Sequence, residues 1–285
     1  MLSLRFLCLG IIFYLSMVLA LTSLASQNNK LIISTEEQIA QDTAQVPCKD
    51  SERLKSVKSQ FLRLGAQPED VLTDKRDGVD NIIVRKQGQA QGIIVIGAHY
   101  DKSESGCGAI DNWTGVVALT HIYRSLKDIP FQKTLIFAGF GKEEQGLYGS
   151  KAMVRGIKNE EVSQYCAMVN IDSLGMAAPQ VVENLSSRPL VDRVTELAQR
   201  MKMPFSRVTV PGVGADSIPF IEKKIPAVTI SALGNGWSEI LHTRNDQVAI
   251  VNSKSVYLGY MLALALIGEL DNVACDANWK KSNAK

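Results

Sequence analysis

The 285-residue chain contains three histidines, His99, His121 and His242, so any chemistry that needs imidazole must use them sparingly. Two of them stand among carboxylates that follow apolar runs. His99-Tyr100-Asp101 follows Ile93–Ala98, and Asp111-Asn112 follows a glycine-containing loop. Glu143-Glu144 comes after Thr134–Ala138, Asp172 after Ala167–Ile171, and His242 lies in a late loop with Glu239. A carboxylate placed directly after a hydrophobic strand is partly buried, and burial demands a partner. A metal ion is such a partner. Zinc takes imidazole nitrogen and carboxylate oxygen, and two ions about 3.5–4 Å apart need a carboxylate shared between them. Five ligands with one bridging would hold two ions and leave room for water. The candidates are His99, Asp111, Glu144, Asp172 and His242.

The elements that must position these residues are legible as alternating patterns. Short β-branched runs occur at 81–85, 92–98, 134–138, 167–171 and 227–230. Helical stretches lie between and after them, near 115–126, 149–155, 190–201 and 255–270, and Leu54, Val57, Phe61 and Leu64 mark an amphipathic helix before them. Strands separated by helices predict an α/β domain whose central sheet is mostly parallel, or mixed, and sandwiched by helices. In open sheets of this kind ligands bind beyond the carboxyl ends of the strands. The candidate ligands fall at those ends.

Composition narrows the function classes. A formal net charge of +2 with 46% apolar residues excludes a disordered chain and argues against a nucleic-acid binder. Residues 1–25 carry one charge, Arg5, before an apolar run from Phe6 to Leu21 and a small-residue exit at Ser23 and Ala25. This is the pattern of a cleaved signal peptide, which predicts an exported, periplasmic or secreted protein with no stable membrane partner. Left uncleaved, the same run would be an N-terminal anchor. Residues 26–47 are polar and weakly periodic, a loose leader ahead of a catalytic domain over 48–285. Cys48, Cys107, Cys166 and Cys275 remain after cleavage; they permit three disulfide pairings, with Cys48 and Cys275 a plausible staple of the two ends. No C-x-x-C and no phosphate-cradling G-x-x-x-x-G-K-[ST] occurs.

Five motifs stand in order: His99–Asp101, Gly108–Gly115 (Gly-Ala-x-Asp-Asn-x-x-Gly), Gly141–Ser150 (Gly-x-Glu-Glu-x-Gly-x-x-Gly-Ser), Asp172 and His242–Asp246 (His-Thr-x-x-Asp). Together they resemble the co-catalytic dinuclear zinc aminopeptidases, the bacterial secreted leucyl aminopeptidase type, with glutaminyl cyclase as a relative. The resemblance implies two zinc ions per chain, Asp111 bridging, His99 and Asp172 on one ion, and Glu144 and His242 on the other. Glu143 would be the general base, Asp101 would orient the His99 ring, and the Asp111-Asn112 peptide would be cis. The activity implied is removal of N-terminal residues from peptides by a metal-bridging hydroxide. A single-zinc cyclase, a carboxypeptidase and a receptor-type domain on the same scaffold are the alternatives, and the full ligand set favours hydrolysis.

Other residues carry weaker readings. His121, inside the helical stretch after Asp111, reads as a structural histidine. Asp216 matches a pocket segment of the family in which Ala215 and Ser217 replace Ser and His, and a turn or N-cap role fits it equally. Leu241 stands where some relatives place a Tyr that stabilises the tetrahedral intermediate. Trp237 and Phe220 are candidates for an apolar pocket or for the core.

Overall fold

The computed structural model describes residues 31–275; the expected export segment, residues 1–25, lies outside them. Eight strands are present: β1 (Val71–Arg76), β2 (Val79–Lys86), β3 (Ile93–His99), β4 (Thr134–Phe140), β5 (Tyr165–Ile171), β6 (Gln180–Val182), β7 (Ser206–Val208) and β8 (Ala227–Ser231). They form one sheet in the order β1-β2-β4-β3-β5-β8-β6-β7. The central strands β4, β3, β5 and β8 run parallel, and β2 and β6 join them antiparallel. The expected mixed sheet with a parallel centre is therefore observed. Its central strands are apolar almost throughout because helices cover both faces.

Seven helices flank the sheet: α1 (Glu36–Thr43), α2 (Asp50–Arg63), α3 (Thr114–Leu126), α4 (Tyr148–Arg155), α5 (Arg188–Arg200), α6 (Ser217–Glu222) and α7 (Ser253–Asp271). Strand periodicity divides the core. Ile94, Ile96 and Ala98 of β3 point into a large cluster with Val57 and Phe61 of α2, Val116 and Leu119 of α3, and Leu262 and Leu266 of α7. Val95 points the other way, toward Val154 near the end of α4 and Phe220 of α6. Each such fully buried aliphatic or aromatic side chain stabilises the fold by about 1.5–3 kcal/mol. Phe220 belongs to this second core, its ring centroid 6.3 Å from that of Phe140. No helix among the described residues is long and apolar enough to cross a membrane.

Residues 26–47 do not form a loose leader over their described part. Thr35 and Gln38 make a reciprocal capping box that starts α1, and Ile39 is fully buried in the main core. The polar periodicity hid this because α1 buries Asp42 and Thr43 along with its one buried apolar residue, Ile39. The cysteines also pair differently from the suggested staple: Cys48 bonds Cys107, and Cys166 bonds Cys275. Cys275 follows α7, whose Asp271 accepts the N–H groups of Gln132 and Lys133 at the start of β4. That places it beside the start of β5, whereas Cys48 enters α2 against the loop that follows β3. One bond closes each end of the sheet.

Candidate metal centre

The carboxyl ends of the central strands supply the site. His99 ends β3, Glu143 and Glu144 follow β4, and Asp172 follows β5. Asp111 lies in a single wide turn, Ala109–Trp113, that leads into α3. The Asp111–Asn112 peptide is cis. Asn112 anchors this turn: its side-chain N–H donates to the Ile171 carbonyl (2.9 Å), and its oxygen accepts from Gly115 N (3.0 Å) and Ser173 N (3.1 Å). Position 115 must be glycine, because a Cβ there would collide with the Asn112 side chain and the Ile171 carbonyl. The Asp-Asn-x-x-Gly motif thus links the end of β5 to the start of α3.

His99 Nε2 faces Asp111 Oδ1 at 3.1 Å and Asp172 Oδ1 at 3.6 Å. His242 Nε2 faces Asp111 Oδ2 and Glu144 Oε2, each at 3.0 Å. Asp111 therefore turns one oxygen to each histidine. The ligand atoms of His99, Asp111 and Asp172 lie within 4.8 Å of one another, as do those of Asp111, Glu144 and His242. All five sequence candidates come together as two triads that share Asp111. Asp101 sits behind His99, its Oδ1 3.6 Å from Nδ1, and accepts the backbone N–H groups of Glu143 (2.9 Å) and Glu144 (3.2 Å). It thereby holds the Glu143-Glu144 loop as well as facing the imidazole.

The electrostatics are those of a cation site. Hydrogen bonds to Asp111 and Glu144 push His242 up to about 10. Burial opposes charge on His99, yet Glu143 and the carboxylates of Asp101, Asp111 and Asp172 outweigh it and raise the ring well above its ordinary value. Burial likewise opposes ionisation of Asp111, but His242 and His99 overcome it and hold Asp111 well below the usual carboxylate range. Glu143 is raised well above its ordinary value by burial, with Asp216, Asp172 and Asp111 adding to the effect against the pull of His99. Glu144 Oε1 and His99 Nδ1 are buried with no hydrogen-bond partner. Free acceptor oxygens among neutralisable imidazoles match the N and O donors that zinc takes.

The backbone is strained at the same place. Lys142, Leu147, Ser173 and His242 adopt φ of 56°, 62°, 58° and 60°, the left-handed region that non-glycine residues enter at a cost. Lys142 and Ser173 adjoin Glu143 and Asp172, His242 is itself a candidate ligand, and Leu147, Ser173 and His242 line the adjoining cavity. That cavity, of about 540 Å³, has a metal-site floor and walls that include Leu147, Val182, Leu185, Val210, Leu233 and Trp237. Leu241 lines it too and offers no hydrogen bond.

Two further carboxylates lie at the site, Asp246 with no role assigned from the sequence and Asp216 read there as a pocket, turn or N-cap residue. Asp246, the last residue of His-Thr-x-x-Asp, accepts Ile110 N (2.7 Å) and Asp111 N (3.1 Å) and so fixes the backbone of the shared ligand. The motif itself was the signal. Asp216 occupies the N-cap position of α6 but makes no capping bond. It is fully buried beside the site; burial, reinforced by Asp172 and Asp101, pushes it up to about 7 against the pull of His99 and Ser150.

Known proteins are similar to this chain to different extents. Aminopeptidase YwaD of Bacillus subtilis (strain 168) is 27% identical over 185 residues, 62% of this chain but 41% of that protein. The chain thus spans less than half of that curated relative. The solved structure of BSAP, a zinc aminopeptidase from Bacillus subtilis, superposes with a TM-score of 0.61 at 23% identity, covering 69% of this chain and 52% of that one. A glutaminyl cyclase from an Acidobacteriales bacterium superposes with a TM-score of 0.70 at 18% identity, covering 86% of this chain and 97% of that one. Both superpositions establish the fold. Residues 81–266, which hold β3 to β8, most of β2 and all five candidate ligands, match peptidase family M28, and the chain belongs to that family.

Proposed function

We propose that the chain is a zinc aminopeptidase that holds two ions, one on His99, Asp111 and Asp172 and the other on Asp111, Glu144 and His242. The observation that carries this reading is the pair of triads with Asp111 in common, opening onto an apolar cavity. BSAP's description as a zinc aminopeptidase supports the choice of metal. Bound zinc supplies an acidified water and a Lewis acid for a peptide carbonyl.

The chain's own residues do the rest. Glu143, raised by its buried surroundings, is suited to take a proton from the attacking water and deliver it to the departing amine. Asp101 keeps Glu143 and Glu144 in place through their backbone N–H groups. The walls of Leu147, Val182, Leu185 and Trp237 suit an apolar N-terminal side chain. Ligation to zinc would neutralise Asp111, Glu144 and Asp172, which leaves Glu143 as the lining carboxylate that can face a free α-amine. A substrate's α-carboxylate would instead need cations, and the lining supplies Lys151 and no arginine. This favours an aminopeptidase over a carboxypeptidase on the same scaffold.

Export to a periplasmic or extracellular setting is part of the same proposal; two disulfides support it, because such bonds persist in oxidising compartments. Peptides are the proposed partners, and the near-neutral charge gives nucleic acid no footing. The test is zinc content measured together with hydrolysis of aminoacyl amides carrying different N-terminal residues. About two zinc ions per chain and release of an apolar N-terminal residue are expected. One ion per chain with cyclisation of N-terminal glutamine would instead identify a cyclase.

A further inference from the structure

Arg53 lies on α2 four residues before Val57 and eight before Phe61, which puts a cation on the helix's buried face. It is 0% exposed. Its Nε donates to the Pro47 carbonyl at 3.1 Å, and Nη1 donates to the carbonyls of Tyr100 (3.0 Å) and Asp101 (3.4 Å). Nη2 donates to the Gly108 carbonyl at 2.7 Å and to that of Cys107. Every one of these acceptors is a neutral backbone oxygen. Residues 100–108 form the loop between His99 and Asp111, and the guanidinium grips both of its ends.

Further contacts from the same region converge on this loop. Cys48, ahead of α2, is bonded to Cys107. Asp50 Oδ1 accepts Lys102 N at 3.2 Å, and the Asp246 carbonyl accepts Cys107 N at 2.8 Å. The guanidinium carbon lies 5.8 Å from the centroid of the Trp113 ring, two residues past Asp111. Gly108 has a φ of 58°, and a Cβ there would strike Arg53 Nη2 and the Asp111 carbonyl. Burial pulls Arg53 down to about 10, with Asp50, Asp111, Asp246 and Asp101 opposing, so it remains charged at neutral pH. That charge offsets the mutual repulsion of the site carboxylates. Because its donors are spent on carbonyls, the oxygens of Asp111 stay free to bind metal.

We propose that Arg53 is a positioning residue of the metal centre: it presets the 100–108 loop so that His99 and Asp111 stand ready as ligands, and it thereby sets the affinity for zinc. The inference rests on the reading of the two triads as a zinc site. The experiment compares the full parent chain with Arg53→Lys and Arg53→Met, disulfides intact. Zinc is titrated against a chromophoric chelator, folding is followed by circular dichroism, and kcat and KM are measured on a leucyl amide.

Loss of a residue that orients metal ligands weakens binding by about 10- to 100-fold, and a loss in that range is expected for both folded variants, larger for Arg53→Met. At saturating zinc, KM should stay within about twofold of the parent, because Arg53 does not line the substrate cavity. A folded variant whose zinc affinity is within about twofold of the parent overturns the proposal, since outer partners of metal ligands are worth more than that. If Arg53→Met does not fold, Arg53→Lys decides. If neither folds, the proposal is also overturned, since Arg53 then serves the fold and not the site. Affinity is read without substrate, so a parent that binds zinc but cleaves no aminoacyl amide overturns the proposed activity alone. A parent that binds no zinc overturns both.

Discussion

Two histidine–carboxylate clusters, one on α3 itself and one around the turn that leads into it, are built from the same residue types and differ in their balance of charge. In one, His121 has both ring nitrogens engaged, with Ser34 Oγ at 2.7 Å and Asp42 Oδ2 at 2.8 Å. The charge of Asp42 is met again by Arg63 at 2.5 Å. Arg124 closes the group by donating to Ser34 and Gln38. In the other, His99 and His242 face Asp111, Asp172 and Glu144, with Asp101 and Glu143 alongside and no arginine or lysine bonded to the shared carboxylate. The first cluster is electrically closed. The second has more anions than cations and leaves Glu144 Oε1 without a partner. What separates a structural polar core from a metal centre is therefore the balance of partners around each charge, and not the presence of histidine beside acid.

The largest effect that should sharpen this contrast is loss of catalysis at Glu143. Glu143→Gln is expected to cut turnover by about 10³-fold while zinc content and melting temperature stay at parent values. Turnover near that of the parent would remove Glu143 from the chemistry. Next comes the closed cluster, where Asp42→Asn should destabilise the fold by about 3 kcal/mol in urea unfolding, because Arg63 loses its counter-charge and the buried His121 ring its carboxylate partner. Its zinc content and KM should not move. If they do, and stability does not, the two clusters have been assigned the wrong way round.

A chelator should give the reverse pattern. Removing zinc should abolish activity and lower stability, and restoring it at 100 times its dissociation constant should return about 2.7 kcal/mol for each site filled. The same treatment should leave the cost of Asp42→Asn unchanged. The smallest effect is counted in protons. In the metal-free chain the surrounding carboxylates raise His99 well above its ordinary value and push His242 up to about 10, and ligation requires both rings neutral. Zinc binding at pH 7 should therefore expel about two protons, and affinity should rise with pH. Calorimetry in buffers of different ionisation enthalpy would measure the number. A value near zero would mean that the imidazoles are already neutral and that the site is not held as described.

Much of this was legible in the sequence, for physical reasons. The central strands are buried on both faces, so their residues had to be apolar in unbroken runs, and a polar ligand after each run stood out. Their place after the apolar runs and in the loops offered His99, Asp111, Glu144, Asp172 and His242 as candidates, and the ordered motifs assigned their roles by resemblance. The three-residue strands β6 and β7 are too short to carry a period, and β1 is an exposed edge with only Val71 and Leu72 apolar. Arg53 and Asp42 have no visible partners in the sequence until the backbone carbonyls and the histidine that bury them are placed by tertiary contact. Disulfide pairing is hidden for the same reason. Cys107 and Cys275 are far apart in the fold although each was free, on paper, to join Cys48.

The strand order also governs the sequence of assembly. β8 lies between β5 and β6, so β6 and β7, though synthesised earlier, have no neighbour to hydrogen-bond against the rest of the sheet until residues 227–231 emerge. His242 emerges later still. A growing chain therefore cannot complete either the sheet or the second candidate triad before most of it has been made, and the proposed activity would arrive only as folding ends.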